Sequence, residues 1–177
     1  LTQIKHLLYP GSFDPPTNGH TDIIERFARQ FDQVTVGVGV NTAKSSLLPI
    51  EKRIDLLQEA LKHLKNVKMT SYQELTVTFA KKIGAGYLGR SIRDSLDLSS
   101  ELRIAHANLV LDKSIETVVL FAKPELQMIS STMVKEVWTL NGDISKFVPK
   151  NVLDYLLSKG NSGVPITHLA SEINTRK

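Results

Sequence analysis

The chain has 177 residues, a net charge of +4 and a 41% hydrophobic content, the profile of one globular domain or one domain with a short appendage. It has no cysteine, which excludes disulfides and Cys-ligated zinc. No window approaches the roughly 18 apolar residues of a membrane span, and no cleavable leader is evident, so a cytoplasmic protein is expected. The basic residues are scattered, and few aromatics stand beside them to stack bases. The charge therefore argues for anionic small molecules rather than nucleic acid.

In chain order, strands and helices alternate. An apolar run at 4–9 predicts a first strand, and 19–31 an amphipathic helix with Asn18 as its N-cap. A valine-rich strand follows at 34–40, then a polar loop at 41–48 carrying Lys44, then a helix at 49–64 opened by Pro49. A third strand at 67–72, a short helix at 75–83 and a brief fourth strand at 87–89 come next. A helix at 97–111, a strand at 117–121 and helices at 130–140 and 151–158 complete the predicted elements. The alternation predicts a doubly wound, Rossmann-like α/β fold: five parallel strands with helices on both faces. Residues 1–159 form the expected domain and 160–177 a C-terminal tail.

The segment Tyr9-Pro10-Gly11-Ser12-Phe13-Asp14-Pro15-Pro16-Thr17-Asn18-Gly19-His20 joins the first strand to the first helix. In α/β proteins such a turn often holds phosphate, because free backbone N–H groups and the helix dipole favour negative charge. Gly11 lets the backbone approach a ligand and Ser12 adds a hydroxyl. His20 falls on the first helical turn, where the dipole opposes imidazolium, so a neutral histidine donating one N–H to a phosphate oxygen is the expected form. Lys44 lies past the end of the second strand. Arg90 and Arg93 follow the fourth, and their guanidinium forks match phosphate oxygens. Ser130, Ser131 and Thr132 open a helix after the fifth strand, a second cradle for anions. Together these groups describe a polyphosphate site on one sheet edge. No histidine spacing suggests a protein-held metal.

These residues resemble those of the nucleotidylyltransferases. Thr17-Asn18-Gly19-His20 is similar to the (H/T)xGH motif, and Ile129-Ser130-Ser131-Thr132 to the second motif. More narrowly, residues 4–159 resemble the bacterial phosphopantetheine adenylyltransferase family, through Tyr9 to Pro15, Lys44, Arg90-Ser91-Ile92-Arg93, Glu101 and the 129–137 segment. The resemblance implies adenylyl transfer from ATP to 4′-phosphopantetheine, giving dephospho-CoA and pyrophosphate. It implies His20, Lys44 and Arg93 as catalytic groups. It implies ATP contacts at Ser12, Phe13, His20, Ser91, Ile92, Arg93, Glu101 and 126–132, that is Leu126, Gln127, Met128, Ile129, Ser130, Ser131 and Thr132. Ser12, Lys44, Thr76 and Arg90 would hold the acceptor. Mg²⁺ would arrive with ATP, CoA would act as a feedback ligand, and six copies would assemble. Five positions depart from the family pattern: Ser91 replaces a glycine, Gly89 a branched apolar residue, Thr76 a Leu or Met, and Ser100 and Leu126 aromatics. Two alternatives stay open: a sister nucleotidylyltransferase with another phosphate acceptor, and a non-catalytic nucleotide-binding protein of the same fold.

Overall fold

The computed structural model describes residues 4–40 and 46–160. Lys44 and residues 161–177 of the expected tail lie outside the described residues. Five parallel strands, β1 (His6–Gly11), β2 (Gln33–Gly39), β3 (Val67–Tyr72), β4 (Tyr87–Ile92) and β5 (Glu116–Phe121), form one sheet in the order β3-β2-β1-β4-β5. The helices are α1 (Asn18–Ala28), α2 (Ile50–Ala60), α3 (Thr76–Lys82), α4 (Ser95–Leu111), α5 (Ser131–Thr139) and α6 (Lys150–Lys159). This is the expected doubly wound architecture. The chain first builds outward from β1 through β2 to β3, then crosses back to place β4 on the other side of β1. The resulting switch point opens a crevice beyond the carboxyl ends of β1 and β4, where ligands bind in such sheets.

The pleat sorts the core into two faces. Leu7, Tyr9, Val34, Val36 and Val38 pack with Ile23, Ile24 and Phe27 of α1 and Leu57 of α2. Leu8 and Leu88 point the other way, to Val77, Phe79 and Ala80 of α3. A third cluster joins Leu48, α5 and α6 through Val134, Trp138, Val152 and Leu156.

Three expectations need correction. The cap of α1 is Thr17, not Asn18. The Thr17 hydroxyl accepts from the His20 N–H at 3.3 Å, while Asn18 ties the helix start to the 146–147 carbonyls. Strand β4 runs on to Ile92, because β5 continues to pair it at Arg90, Ser91 and Ile92. The polar side chains disguised this: backbone pairing sustains the strand while Arg90 and Ser91 face cavities. Finally, α1 and α2 stop short of the predicted ends, at Ala28 and Ala60, and α4 starts earlier, at Ser95, capped by Asp94.

Gly89 faces α1. A Cβ there would lie 2.8 Å from the Phe27 ring and 2.9 Å from Leu7. The Phe27 ring thus fills the volume that a branched residue at 89 would take. Gly89→Val should lower stability by about 1–3 kcal/mol through overpacking. Adding Phe27→Leu should recover part of the loss, read as the melting temperature of the two variants.

Candidate active site

The turn after β1 is fixed by a buried ionic knot. The Asp14 carboxylate accepts from the Leu47 and Leu48 N–H groups at 2.9 and 2.8 Å and lies 3.3 Å from Arg53 Nε. Arg53 donates to the carbonyls of Leu48 and Ser12 at 2.7 and 3.1 Å. Both residues are almost fully buried, at 5% and 4% exposure. Within the turn, Phe13 takes a positive φ of 48° and tucks its ring under Gly11. A Cβ on Gly11 would sit 2.8 Å from that ring. Glycine is therefore needed at 11 for the approach of Phe13, a neighbour the sequence reading did not identify.

His20 is the third residue of α1, with its ring 5.0 Å from that of Phe13, edge-on. Its Nδ1 lies 3.1 Å from both the Thr17 N–H and the Thr17 hydroxyl. The backbone N–H can only donate, so Nδ1 is an acceptor and the proton of the neutral ring sits on Nε2. Burial, and after it the Arg93 guanidinium, push the His20 pKa down to about 4. The capping box that starts α1 thus also sets the tautomer of its histidine.

Two cavities open at the switch point, one on each face of β4. The first, of about 260 Å³, lies on the α1 face and is lined by Tyr9, His20, Ser91, Arg93, Asp97, Glu101, Leu126, Ile129 and Ser130 to Thr132, among others. The second, of about 470 Å³, lies on the α3 face and is lined by Ser12, Tyr72, Thr76 and Arg90, among others. Adjacent residues of one strand serve different cavities because side chains alternate: Ser91 faces the first and Arg90 the second. Arg90 forks onto the Glu101 carboxylate through Nε and through Nη2, the latter at 2.7 Å, so this pair links the two cavities. Burial alone would lower the Arg90 pKa, but the Glu101 hydrogen bonds and charge leave it raised. Arg93 makes a similar fork onto Asp97, at 2.8 and 3.1 Å.

At the start of α5, the Ser130 hydroxyl accepts from the Met133 N–H at 3.1 Å, and Ser131 donates to the Pro15 carbonyl at 2.9 Å. One hydroxyl caps, one braces the turn after β1, and Thr132 stays on the cavity wall. The Tyr9 hydroxyl is 3.3 Å from that of Ser91, and burial raises the Tyr9 pKa, so the phenol stays protonated.

The expected site residues therefore divide. His20, Ser91, Arg93, Glu101, Leu126, Ile129, Ser130, Ser131 and Thr132 line the first cavity, and Ser12, Thr76 and Arg90 the second. Phe13 and Ile92 are core residues, at 1% and 3% exposure, and Met128 stands in solvent at 84%. These three and Gln127 line neither cavity. Sequence reasoning missed Tyr9 and Asp97 in the first cavity and Tyr72 in the second. Asp97 had a signal as an acidic residue at the start of the helix predicted from 97, just after Arg93.

A proton NMR titration should find the His20 midpoint near 4, well below an ordinary histidine. Because burial is the larger cause, Arg93→Ala should restore less than half of the shift.

The pattern of the cytidylyltransferase-like family matches residues 8–137. A phosphopantetheine adenylyltransferase of Leuconostoc citreum is 48% identical, over 87% of this chain and 98% of its own length. That of Lachnoclostridium phytofermentans is 44% identical over 87% and 94%, and that of Caulobacter vibrioides 41% over 88% and 98%. Among solved structures, one assigned as a nicotinate-nucleotide adenylyltransferase from Vibrio parahaemolyticus superposes with a TM-score of 0.70 over 90% of this chain and 95% of that one. At 19% identity, that likeness speaks for the fold. The identities over nearly whole chains, with the paired cavities at the switch point, make this chain a member of the cytidylyltransferase-like family and, within it, of the phosphopantetheine adenylyltransferases.

Proposed function

We propose that this chain transfers the adenylyl group of ATP to 4′-phosphopantetheine, releasing pyrophosphate and dephospho-CoA. The observation that carries this reading is the pair of cavities joined through Arg90 and Glu101. Two separate phosphate compounds need two compartments that meet where the bond forms. The nucleotide takes the first cavity and the acceptor the second, with its phosphate toward Arg90 and Ser12.

The acceptor phosphate is already an anion, so the step needs no strong general base. One of its oxygens attacks the α-phosphorus of ATP, and the bond from that phosphorus to the β-phosphate bridging oxygen breaks. Catalysis then rests on alignment and on donors for the charge that builds on the α-phosphate. His20 supplies Nε2–H, Arg93 a guanidinium, and the start of α5 free N–H groups with the Thr132 hydroxyl. Lys44, which follows β2 in the sequence, would add an ammonium on the family pattern. A neutral histidine suits this work: it keeps a donor proton at every pH above its depressed pKa, with no loss between pH 6 and 8.

Mg²⁺ would reach the site on the ATP phosphates. Among the described residues no three acidic or imidazole groups gather as a metal cage. The two carboxylates on the nucleotide cavity, Asp97 and Glu101, are each forked by an arginine. Such a donor set fits an ion held by phosphate and water, whose chemistry is to neutralise polyphosphate charge. CoA differs from the product by one phosphate, which makes it a natural feedback ligand. An ATP-consuming synthetic step fits the cytoplasm. No helix among the described residues is long and apolar enough to cross a membrane. The catalytic unit is residues 1–159, followed by the 160–177 tail.

A homohexamer belongs to the same reading. Helix α4 has no buried residue, and Leu96, Leu102 and Val110 are 76%, 49% and 82% exposed. Phe121 of the edge strand β5 is exposed as well, at 65%. Patches of this kind mark protein contacts.

Pyrophosphate release from ATP with 4′-phosphopantetheine tests the proposal. His20→Ala should cut kcat by roughly 10²–10³-fold, the scale of losing one transition-state donor. The wild-type rate should show no histidine ionisation between pH 6 and 8. Release only with another phosphate acceptor, or ATP binding without turnover, would overturn the assignment. Leu102→Asp with Val110→Asp should convert the hexamer to smaller species, measured by light scattering.

A further inference from the structure

One wall of the first cavity is irregular chain. Ala122, Leu126 and Ile129 line the cavity from the stretch between β5 and α5, and with Ile23 of α1 they give it an aliphatic surface. Backbone bonds shape this stretch from within. The Lys123 carbonyl accepts from the Leu126 N–H at 2.9 Å, and the Leu126 carbonyl from the Ile129 N–H at 3.1 Å. The carbonyls of Leu126 and Ile129 also approach the first turn of α1, where a Cβ on Gly19 would lie 4.0 and 3.9 Å from them.

An ionic latch joins the wall to α1. Asp22 lies two residues after His20, with its side chain 10% exposed. Its Oδ1 meets Lys123 Nζ, and its Oδ2 accepts from Arg26 Nη1 at 3.2 Å. Arg26 Nη1 also donates to the Phe121 carbonyl at 2.8 Å. Helix α1 thus grips both neighbours of Ala122, one by its side chain and one by its backbone, and the Asp22 carboxylate is the hub. A half-exposed ion pair adds little to stability. Its value here is geometric. A nucleotide joins a polyphosphate to an aromatic base through a sugar, so its site has to keep phosphate donors and an apolar surface at a set separation. Helix α1 carries His20, and through Asp22 it also fixes the stretch that carries Leu126.

We propose that Asp22 is a positioning residue of the nucleotide cavity: through Lys123 and Arg26 it holds the Leu126 wall in place relative to His20. This rests on the adenylyl-transfer reading above, which puts the nucleotide in this cavity, and deepens it. Asp22 and Lys123 do not line the cavity themselves, so they act on the nucleotide only through the wall. Loosening the latch removes binding that the ground state and the transition state share, which raises KM and leaves kcat in place.

Asp22→Asn, Lys123→Met and the double replacement test the latch. Asp22→Asn should raise the KM for ATP roughly 3- to 10-fold, the scale of one charge-assisted contact. Lys123→Met should raise it roughly 2- to 5-fold, since Arg26 still holds the Phe121 carbonyl. The double variant should do little more than Asp22→Asn, because both changes break one contact. Lys123→Arg keeps a cation on the carboxylate and should stay within about 2-fold of wild type. In all four, kcat and the KM for 4′-phosphopantetheine should hold within about 2-fold. An unchanged ATP KM with a lowered melting temperature would overturn the inference, as the mark of a pair that only stabilises. Equal rises in both KM values would overturn it too. A wild type that binds ATP without turning over 4′-phosphopantetheine would overturn the adenylyl-transfer reading. The latch would then stand if Asp22→Asn weakens ATP binding in calorimetry by the same factor, and fall if it does not.

Discussion

The Asp14–Arg53 pair is the constraint on which the site depends. It ties two stretches with no regular structure, the turn after β1 and the chain before α2, to the first turn of α2. A buried ion pair is seldom a gain over well-packed apolar groups, but removing Asp14 leaves the buried Arg53 charge without its carboxylate and costs about 3–5 kcal/mol. Here four backbone groups, the Leu47 and Leu48 N–H and the Leu48 and Ser12 C=O, find partners in the same pair. Without it they would need water in a dry place. The pair trades stability for a defined path of the chain, and that path sets where Ser12 and the start of α1 stand.

The architecture was legible because its signals are local. Valine runs, the Pro49 start of α2 and the alternation of elements give strand, helix and parallel sheet without knowledge of any partner. The region of the candidate site was legible too, since hydroxyl and cationic residues placed after successive strands share one edge of such a sheet. The division into two cavities was not. It follows from the parity of Arg90 and Ser91 along β4, and that strand had been cut short because its last residues are polar. The Thr17 cap was missed for a related reason. Thr17 and Asn18 are both good caps, and only the loop at 146–147, far away in sequence, decides between them. Tyr72 carried no signal of its own as a cavity residue.

Charge in the site is compensated before any ligand arrives. Arg90 and Arg93 are each forked by a carboxylate from α4, and the histidine between them and α5 is neutral. This keeps four ionic groups in a partly buried crevice without leaving any unmatched. It also gives α4 two tasks. Its inner side supplies Asp97 and Glu101 to the arginines, while Leu96, Leu102 and Val110 stay exposed.

The Arg93–Asp97 fork bears on how a turnover ends. Pyrophosphate, once formed, has to be let go, and a pocket of bare cations would retain it. Asp97, in the first turn of α4, already holds the Arg93 guanidinium, so an anion at Arg93 has to compete with a carboxylate tethered to the protein. An uncharged imidazole adds no electrostatic hold on the leaving group. The crevice is thereby a weaker trap for anions than one lined by bare cations, a property of its resting ion pairs.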